Sequence, residues 1–283
     1  TYKFSNRLTA KIGYYFKSYT FEIYDSARFD TNARFVTRAQ GNGSFFLFQP
    51  FAQLKYKISE KTVATIGIRY QYMSLNNNSS AFEPRAAISH KLHEKHQLSL
   101  GLGLHAQMQP TYIYFISKGF NTNGEFNRGL GFSRSAHSVL TYDVAVNKSS
   151  RIKVETYYQY LWDIPIYPYP SGISLINQGA SFSRFFPNTT MVNAGEGQNY
   201  GIELTIEKFF SKQYYILFTT SLFESKYKAS DNIWRNTDFN GNYVVNALAG
   251  YELPLNKKKT THLVTGTKIT LAGGRRYSPA DID

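Results

Sequence analysis

Between His96 and Gln109 the chain reads HQLSLGLGLHAQMQ, with Leu98, Leu100, Leu102, Leu104, Ala106 and Met108 on one parity. Ser99, Gly101, Gly103, His105, Gln107 and Gln109 occupy the other. A β-strand sends successive side chains to opposite faces, so this stretch presents one apolar and one polar face. At helical spacing the same leucines would scatter around the cylinder and bury no coherent surface. The apolar stripe runs on through Pro110 into Tyr112 and Tyr114, so it ends in aromatic residues. Two settings fit such a strand. It can cross a membrane as part of a barrel, with lipid outside, water inside and tyrosines at the headgroups. It can also be one strand of a soluble β-sandwich, its leucines facing a second sheet.

Similar alternation recurs along the chain. Leu8, Ala10, Ile12, Tyr14 and Phe16 share a face, followed by a polar connection over roughly 25–43. Phe46, Phe48, Pro50, Ala52, Leu54 and Tyr56 come next, opposite Gln49, Gln53 and Lys55. After a turn at Ser59-Glu60-Lys61, Ala64, Ile66, Ile68, Tyr70 and Tyr72 repeat the scheme, and Phe82, Pro84, Ala86 and Ile88 follow a polar loop at 76–80. Further on, Leu140, Tyr142, Val144 and Val146 precede a turn at 147–150, then Ile152, Val154, Thr156, Tyr158, Tyr160 and Trp162. The longest connection, roughly 164–196, leads to Ile202, Leu204 and Ile206 and a turn at Ser211-Lys212-Gln213. Three blurred strands close the series near 214–226, 240–254 and 261–273, with Val244, Leu248 and Val264 on the polar parity. The total is about eleven antiparallel strands joined alternately by short turns and longer loops.

That alternation of connections favours a barrel in an outer membrane, which has short turns at one rim and long loops at the other. Tyr70/Tyr72, Tyr112/Tyr114 and Tyr158/Tyr160/Trp162 fall at the long-loop end, where an aromatic girdle belongs. The fold expected is therefore all-β, an antiparallel transmembrane β-barrel. An odd strand count would leave open edges, which lipid does not tolerate, so the chain reads as part of a longer one whose other strands close the barrel. No targeting segment opens it at Thr1; an exported protein would carry one upstream.

Composition agrees and removes several alternatives. With no Cys among 283 residues, disulfide frameworks, thiolate metal sites and Cys nucleophiles are excluded. No apolar run approaches the ~20 residues of a spanning helix, and the mean hydropathy of −0.38 is that of a chain in which half of each strand is polar. The net charge of +13 is spread over strands and turns without a basic helix or stripe, which argues against a nucleic-acid partner. The densest run, Lys257-Lys258-Lys259, reads as a solvated turn. No nucleophile elbow or Ser/His/Asp set is present, so catalytic residues and cofactors are expected to be none.

Several stretches bear a family resemblance. They are Glu83-Pro84-Arg85-Ala86 leading to Gly101-Leu102-Gly103-Leu104-His105, then Tyr157-Tyr158-Gln159-Tyr160-Leu161 and Asn199 to Lys208. Trp234-Arg235-Asn236-Thr237 and Gly273-Gly274-Arg275-Arg276-Tyr277-Ser278-Pro279 complete the set. In this order they resemble TonB-dependent outer-membrane transporters of the Bacteroidetes type; residues 1–82 fit by pattern only. The resemblance implies a barrel of about 22 strands around a plug, of which residues 1–283 form a part without internal boundary, plug and closing strands lying elsewhere. It implies import of a nutrient such as an oligosaccharide, peptide or metal chelate in the bacterial outer membrane. It also implies an inner-membrane TonB complex acting through the plug, with a surface lipoprotein as a further partner beside the lipid. A passive channel or structural barrel is the alternative.

Candidate substrate-binding residues are those of the polar parity, Arg69, Gln71, Glu83, Arg85, His105, Gln107 and Gln109, with Tyr167 and Tyr169 from the longest loop. Glu155, Gln159 and Glu203 belong to the same inner lining. A hydrated wall without ligand contacts would look the same in sequence, and Glu83 with Arg85 two positions away could form a structural ion pair. Gly101 and Gly103 have no helix after them and so form no phosphate loop; they leave space in the lumen. His90, His93, His96 and Glu94 resemble a metal cluster, but positions three apart on a strand face opposite sides, and a solvated turn is the reading adopted. Metal ligands are expected to be none.

Overall fold

In the computed structural model, residues 1–28, 34–116, 127–178, 190–258 and 260–276 are described; Lys259 and Tyr277-Ser278-Pro279 lie outside them. The chain forms one antiparallel sheet. Its strands are β1 (Tyr2–Lys3), β2 (Leu8–Ala27), β3 (Val36–Lys57), β4 (Thr62–Met73), β5 (Ser80–His93), β6 (His96–Gln107), β7 (Ser133–Asn147) and β8 (Ser150–Ile166). β9 (Val192–Ser211), β10 (Tyr214–Lys228), β11 (Trp234–Asn236), β12 (Tyr243–Pro254) and β13 (His262–Ala272) complete it. A single helical turn, α1 (Thr111–Tyr114), interrupts the series after β6. Each long strand pairs with its neighbours in sequence, and the three-residue β11 pairs β10 off the main path. Setting aside β1 and β11, eleven long strands remain, the number expected from the alternation. No helix among the described residues is long and apolar enough to cross a membrane.

Register places the two parities on opposite faces throughout. Leu100 stands against Ile88 and Leu140, while Gly101 stands against Ala87 and Val139. The apolar face is the exposed one: Ile12, Ile66, Leu102, Leu140 and Ile202 are all open at their surface. In water such a face would have to be covered, and in a bilayer the lipid covers it. Above it lie the aromatics. Phe46 stacks on Phe16 with ring centroids 5.4 Å apart and meets Tyr72 at 6.0 Å, and Tyr70 meets Phe82 at 4.8 Å. The turn between β9 and β10 consists of Lys212 and Gln213, both with positive φ (53° and 72°), which is the type I′ geometry that matches strand twist.

Two expectations need correction. Residues 25–43 are not one long connection: β2 runs to Ala27 and β3 starts at Val36. The ladder continues outside the membrane, where water replaces lipid and the apolar alternation that marked the strand ends. Likewise, β8 extends to Ile166 and β9 starts at Val192, inside the connection assigned to 164–196.

Tyr112 and Tyr114 are the second correction. The strand stops at Gln107, and beyond Pro110 the chain turns over the inner face as α1. Tyr114 is fully buried in an apolar cluster with Phe45, Leu47, Met73, Phe115 and Ile116. What ends the stripe is the turn into α1, which buries Ile113 and Tyr114 against the inner face. These two tyrosines belong to a loop core, not to the girdle.

Candidate functional site

The inner wall divides into a closed upper part and an open middle. At the top, the inward residues of β2–β5 change from polar to apolar: Tyr19, Phe21, Phe45, Leu47, Met73 and Ala81. Onto them fold Ile113, Tyr114, Phe115 and Ile116 from the β6–β7 connection, joined by Leu130, Phe132, Tyr167, Leu175 and Met191. Polar contacts pin this lid at its margins. Tyr112 donates from its hydroxyl to Asp25 Oδ2 (2.9 Å), a carboxylate also held by Arg38 at 2.5 Å. The backbone N–H of Gln40 donates to the carbonyl of Phe115 (3.2 Å). Asn76 Nδ2 donates to the carbonyl of Arg128 (2.7 Å), and Asn193 Oδ1 accepts from the N–H of Gly131 (2.8 Å). Burial raises the Tyr114 phenol to about 12 and pushes Tyr112 up as well, Asp25 adding to the effect at Tyr112.

Just below the lid sits Glu83, with no exposed surface. Arg69 grips it bidentately through one guanidinium edge, Nε to Oε2 and Nη2 to Oε1 at 2.9 Å. Gln71 Nε2 (2.7 Å) and the backbone N–H of Ala106 (2.5 Å) donate to the same Oε1. Gln71 in turn accepts from Gln49 Nε2 (2.5 Å). A buried carboxylate is tolerated when its lone pairs are filled in this way.

The middle of the wall is open. Arg85 is 44% exposed, and its nearest carboxylate oxygen, Glu83 Oε2, is 3.5 Å away. His105 and His137 face each other with ring centroids 4.4 Å apart. His137 Nε2 lies 2.8 Å from Ser135 Oγ and 2.5 Å from Gln159 Nε2.

The structure thus sorts the candidate residues. Gln71 and Glu83 are buried in the network under the lid, while Gln109 is buried beside it, donating from Nε2 to Ser133 Oγ (2.9 Å) and the Gly131 carbonyl (3.1 Å). Tyr167 is part of the lid core and Tyr169 is half exposed, their rings 5.2 Å apart. Arg69 spans both zones, whereas Arg85, His105 and Gln107 remain accessible from the inner side. His137 and Gln49 were missed, although the parity of Leu140 and Tyr142 already put His137 inward and that of Phe48 did so for Gln49. Elsewhere, His90 Nδ1 pairs with Thr62 Oγ1 (2.8 Å) and His96 Nδ1 with the Tyr142 hydroxyl (2.7 Å). No group of three or more His, Cys, Asp or Glu able to hold a metal ion occurs among the described residues.

An open-edged antiparallel sheet with an apolar outside, an aromatic rim and a polar inside is part of the wall of an outer-membrane β-barrel. Residues 1–278 match the family described as TonB dependent receptor-like, beta-barrel, and the chain belongs to that family. Its members are receptors and transporters of the Gram-negative outer membrane, not enzymes. Solved structures give the same fold. The FrpB iron transporter of Neisseria meningitidis (F3-3 variant) superposes with a TM-score of 0.55 at 11% identity, covering 95% of this chain and 45% of that one. The ferric yersiniabactin uptake receptor FyuA of Yersinia pestis gives 0.56 at 11%, covering 95% and 44%. The ferric-catecholate import receptor Fiu of E. coli K12 gives 0.61 at 10%, covering 88% and 40%. The chain therefore spans less than half the length of these relatives. No curated protein matches it in sequence.

Proposed function

We propose that the chain forms part of the barrel of an energised importer of the TonB-dependent type, of the Bacteroidetes kind, with oligosaccharide, peptide or metal chelate as substrate. The observation that carries this reading is the lid. In it the β6–β7 connection buries Ile113 to Ile116 against the inner face of β2–β5 and narrows the wall's extracellular end. An apolar loop cluster folded onto the inner wall suits an importer, which must hold solutes back until its cargo is taken. Metal chelates gain weight among the substrates because the names of FrpB, FyuA and Fiu speak of iron transport, uptake of ferric yersiniabactin and import of ferric catecholate. In this reading lipid covers the outer face, an inner-membrane TonB complex pulls on a plug carried elsewhere in the protein, and a surface lipoprotein assists capture. The accessible residues Arg69, Arg85, His105, Gln107 and Tyr169 contact cargo or plug, and Gln71, Glu83, Gln109 and Tyr167 shape the wall behind them.

Liposome swelling with the full-length gene product, with and without the residues upstream of Thr1, tests the proposal. A closed intact protein that becomes a large pore on deletion supports an importer. Free passage of solutes through the intact protein replaces it with a passive channel.

A further inference from the structure

One cross-strand row on the inner wall combines charge, hydrogen-bonding side chains and empty space. Register aligns Gln53, Gly67, Arg85, Gly103, His137 and Gln159 across β3 to β8. Arg85 thus has a glycine on each side. Gly103 shows what that achieves: a Cβ there would stand 3.0 Å from His105 Nε2 and 3.6 Å from Arg85 Cγ. His105 and Arg85 both lie over the vacant position, and His137 faces His105 from the other flank. Together they bound an inward-facing trough of about 350 Å³ floored by Gly67, Gly101 and Gly103.

The charge of this trough has a sign. Arg69 and Arg85 share one carboxylate, Glu83. Its oxygens already take hydrogen bonds from Arg69, Gln71 and the Ala106 N–H, so the 3.5 Å contact leaves Arg85 with uncommitted donors. Two guanidiniums against one carboxylate leave an excess of one positive charge beside two imidazoles. That excess disfavours a metal cation between His105 and His137. A planar carboxylate, by contrast, matches the guanidinium fork in shape and charge.

We propose that this trough binds a carboxylate, seated on Arg85 and flanked by His105 and His137, the two glycines providing the clearance. The carboxylate comes either from a free ligand in the lumen or from an Asp or Glu side chain of another segment of the same protein. The inference rests on the inner face of the fold and stands whether or not import is energised.

The test uses the full-length protein in detergent. Citrate, a free polycarboxylate, is titrated by calorimetry into the wild type, Arg85→Gln and the remote control Glu252→Gln. A free-ligand site binds citrate and loses it about tenfold or more in Arg85→Gln, the size expected for a charge-assisted bond, while the control is unchanged. In parallel, Arg85→Lys is treated with a zero-length carbodiimide and the coupled carboxylate located by mass spectrometry. A site filled by the protein itself gives a cross-link to an Asp or Glu other than Glu83, and no citrate binding in the wild type. The proposal is overturned if citrate binding is absent or indifferent to Arg85→Gln and no cross-link beyond Glu83 forms. Arg85 is too exposed for its replacement to unfold the wall, so loss of binding reports on the site.

Discussion

Phe115 packs its ring directly on the backbone of Gly41: a Cβ at Gly41 would stand 2.5 Å from the Phe115 Cδ1 and 3.0 Å from its Cγ. The lid and the projecting end of β3 are fitted to each other through the absence of one side chain. Gly41→Ala must push Phe115 out of a cluster in which it is 2% exposed. Overpacking of this kind costs about 1–3 kcal/mol. The expected outcome is faster proteolysis and faster hydrogen exchange across Thr111–Ile116, with the membrane-level strands unchanged. Equal protection in the two proteins would mean that the lid is not held by this contact.

Glu83 offers a second lever. Glu83→Ala strands the Arg69 guanidinium beside the lid, leaves the Ala106 N–H without its side-chain acceptor and leaves Gln71 Nε2 with the Ala106 carbonyl alone. Breaking a buried charge pair from one side costs about 3–5 kcal/mol, discounted here because Arg69 keeps 27% of its side chain exposed. Heat-induced unfolding in detergent, followed by gel mobility, should show a lower midpoint for Glu83→Ala and a far smaller change for Arg85→Gln.

Alkaline pH should loosen the lid. Tyr114 titrates at about 12 when folded, against an ordinary value of 10.0. Below pH ~10 both folded and unfolded phenols are neutral and the contribution of burial is fully present. As pH rises from ~10 towards 12 the undocked phenol ionises first, and the lid loses stability progressively until the docked phenol ionises too. Phenolate absorbance should therefore show a late-titrating component that loses one tyrosine's amplitude in Tyr114→Phe. A wild-type curve with no such late component counts against the burial of Tyr114.

At the opposite rim, the turn of Lys212 and Gln213 holds two non-glycine residues at positive φ. Left-handed backbone costs an ordinary residue roughly 1 kcal/mol, so Gln213→Gly should stabilise the β9–β10 hairpin by about that amount. A urea midpoint that rises for Gln213→Gly and not for the neighbouring Ser211→Gly would show it.

The outer face has its own test. Leu102→Arg places a charge against lipid at a cost of about 2–4 kcal/mol at mid-membrane, and folding yield into vesicles should fall. Val139→Arg, on the inner parity one strand away, should fold nearly as well as the wild type.

The parities of Leu98 to Leu104 were legible because lipid and water impose opposite demands on alternate positions, and the register confirms them strand by strand. Legibility stopped where that contrast stopped. From Val36 to Gly43 both faces meet water or loop, so a strand there carries no alternating signature. Tyr112 and Tyr114 misled for a related reason: an aromatic ring suits a headgroup layer and a buried loop core equally well, and Pro110 was no warning, since Pro50 and Pro84 stand within strands. At the site, parity sufficed to turn Arg69, Glu83, Arg85 and His105 inward. It could not tell that Glu83 is sealed beneath a lid while Arg85, in contact with it at 3.5 Å, stays half exposed, because that difference arises from the β6–β7 connection folding back over distant strands.

The sheet order has a kinetic side. Each long strand pairs with the long strand before it in sequence, several of them across turns of only two residues such as Lys212-Gln213. Pairing of that kind brings little loop-closure entropy with it. The wall can therefore be laid down hairpin by hairpin, each strand finding its partner's edge close at hand.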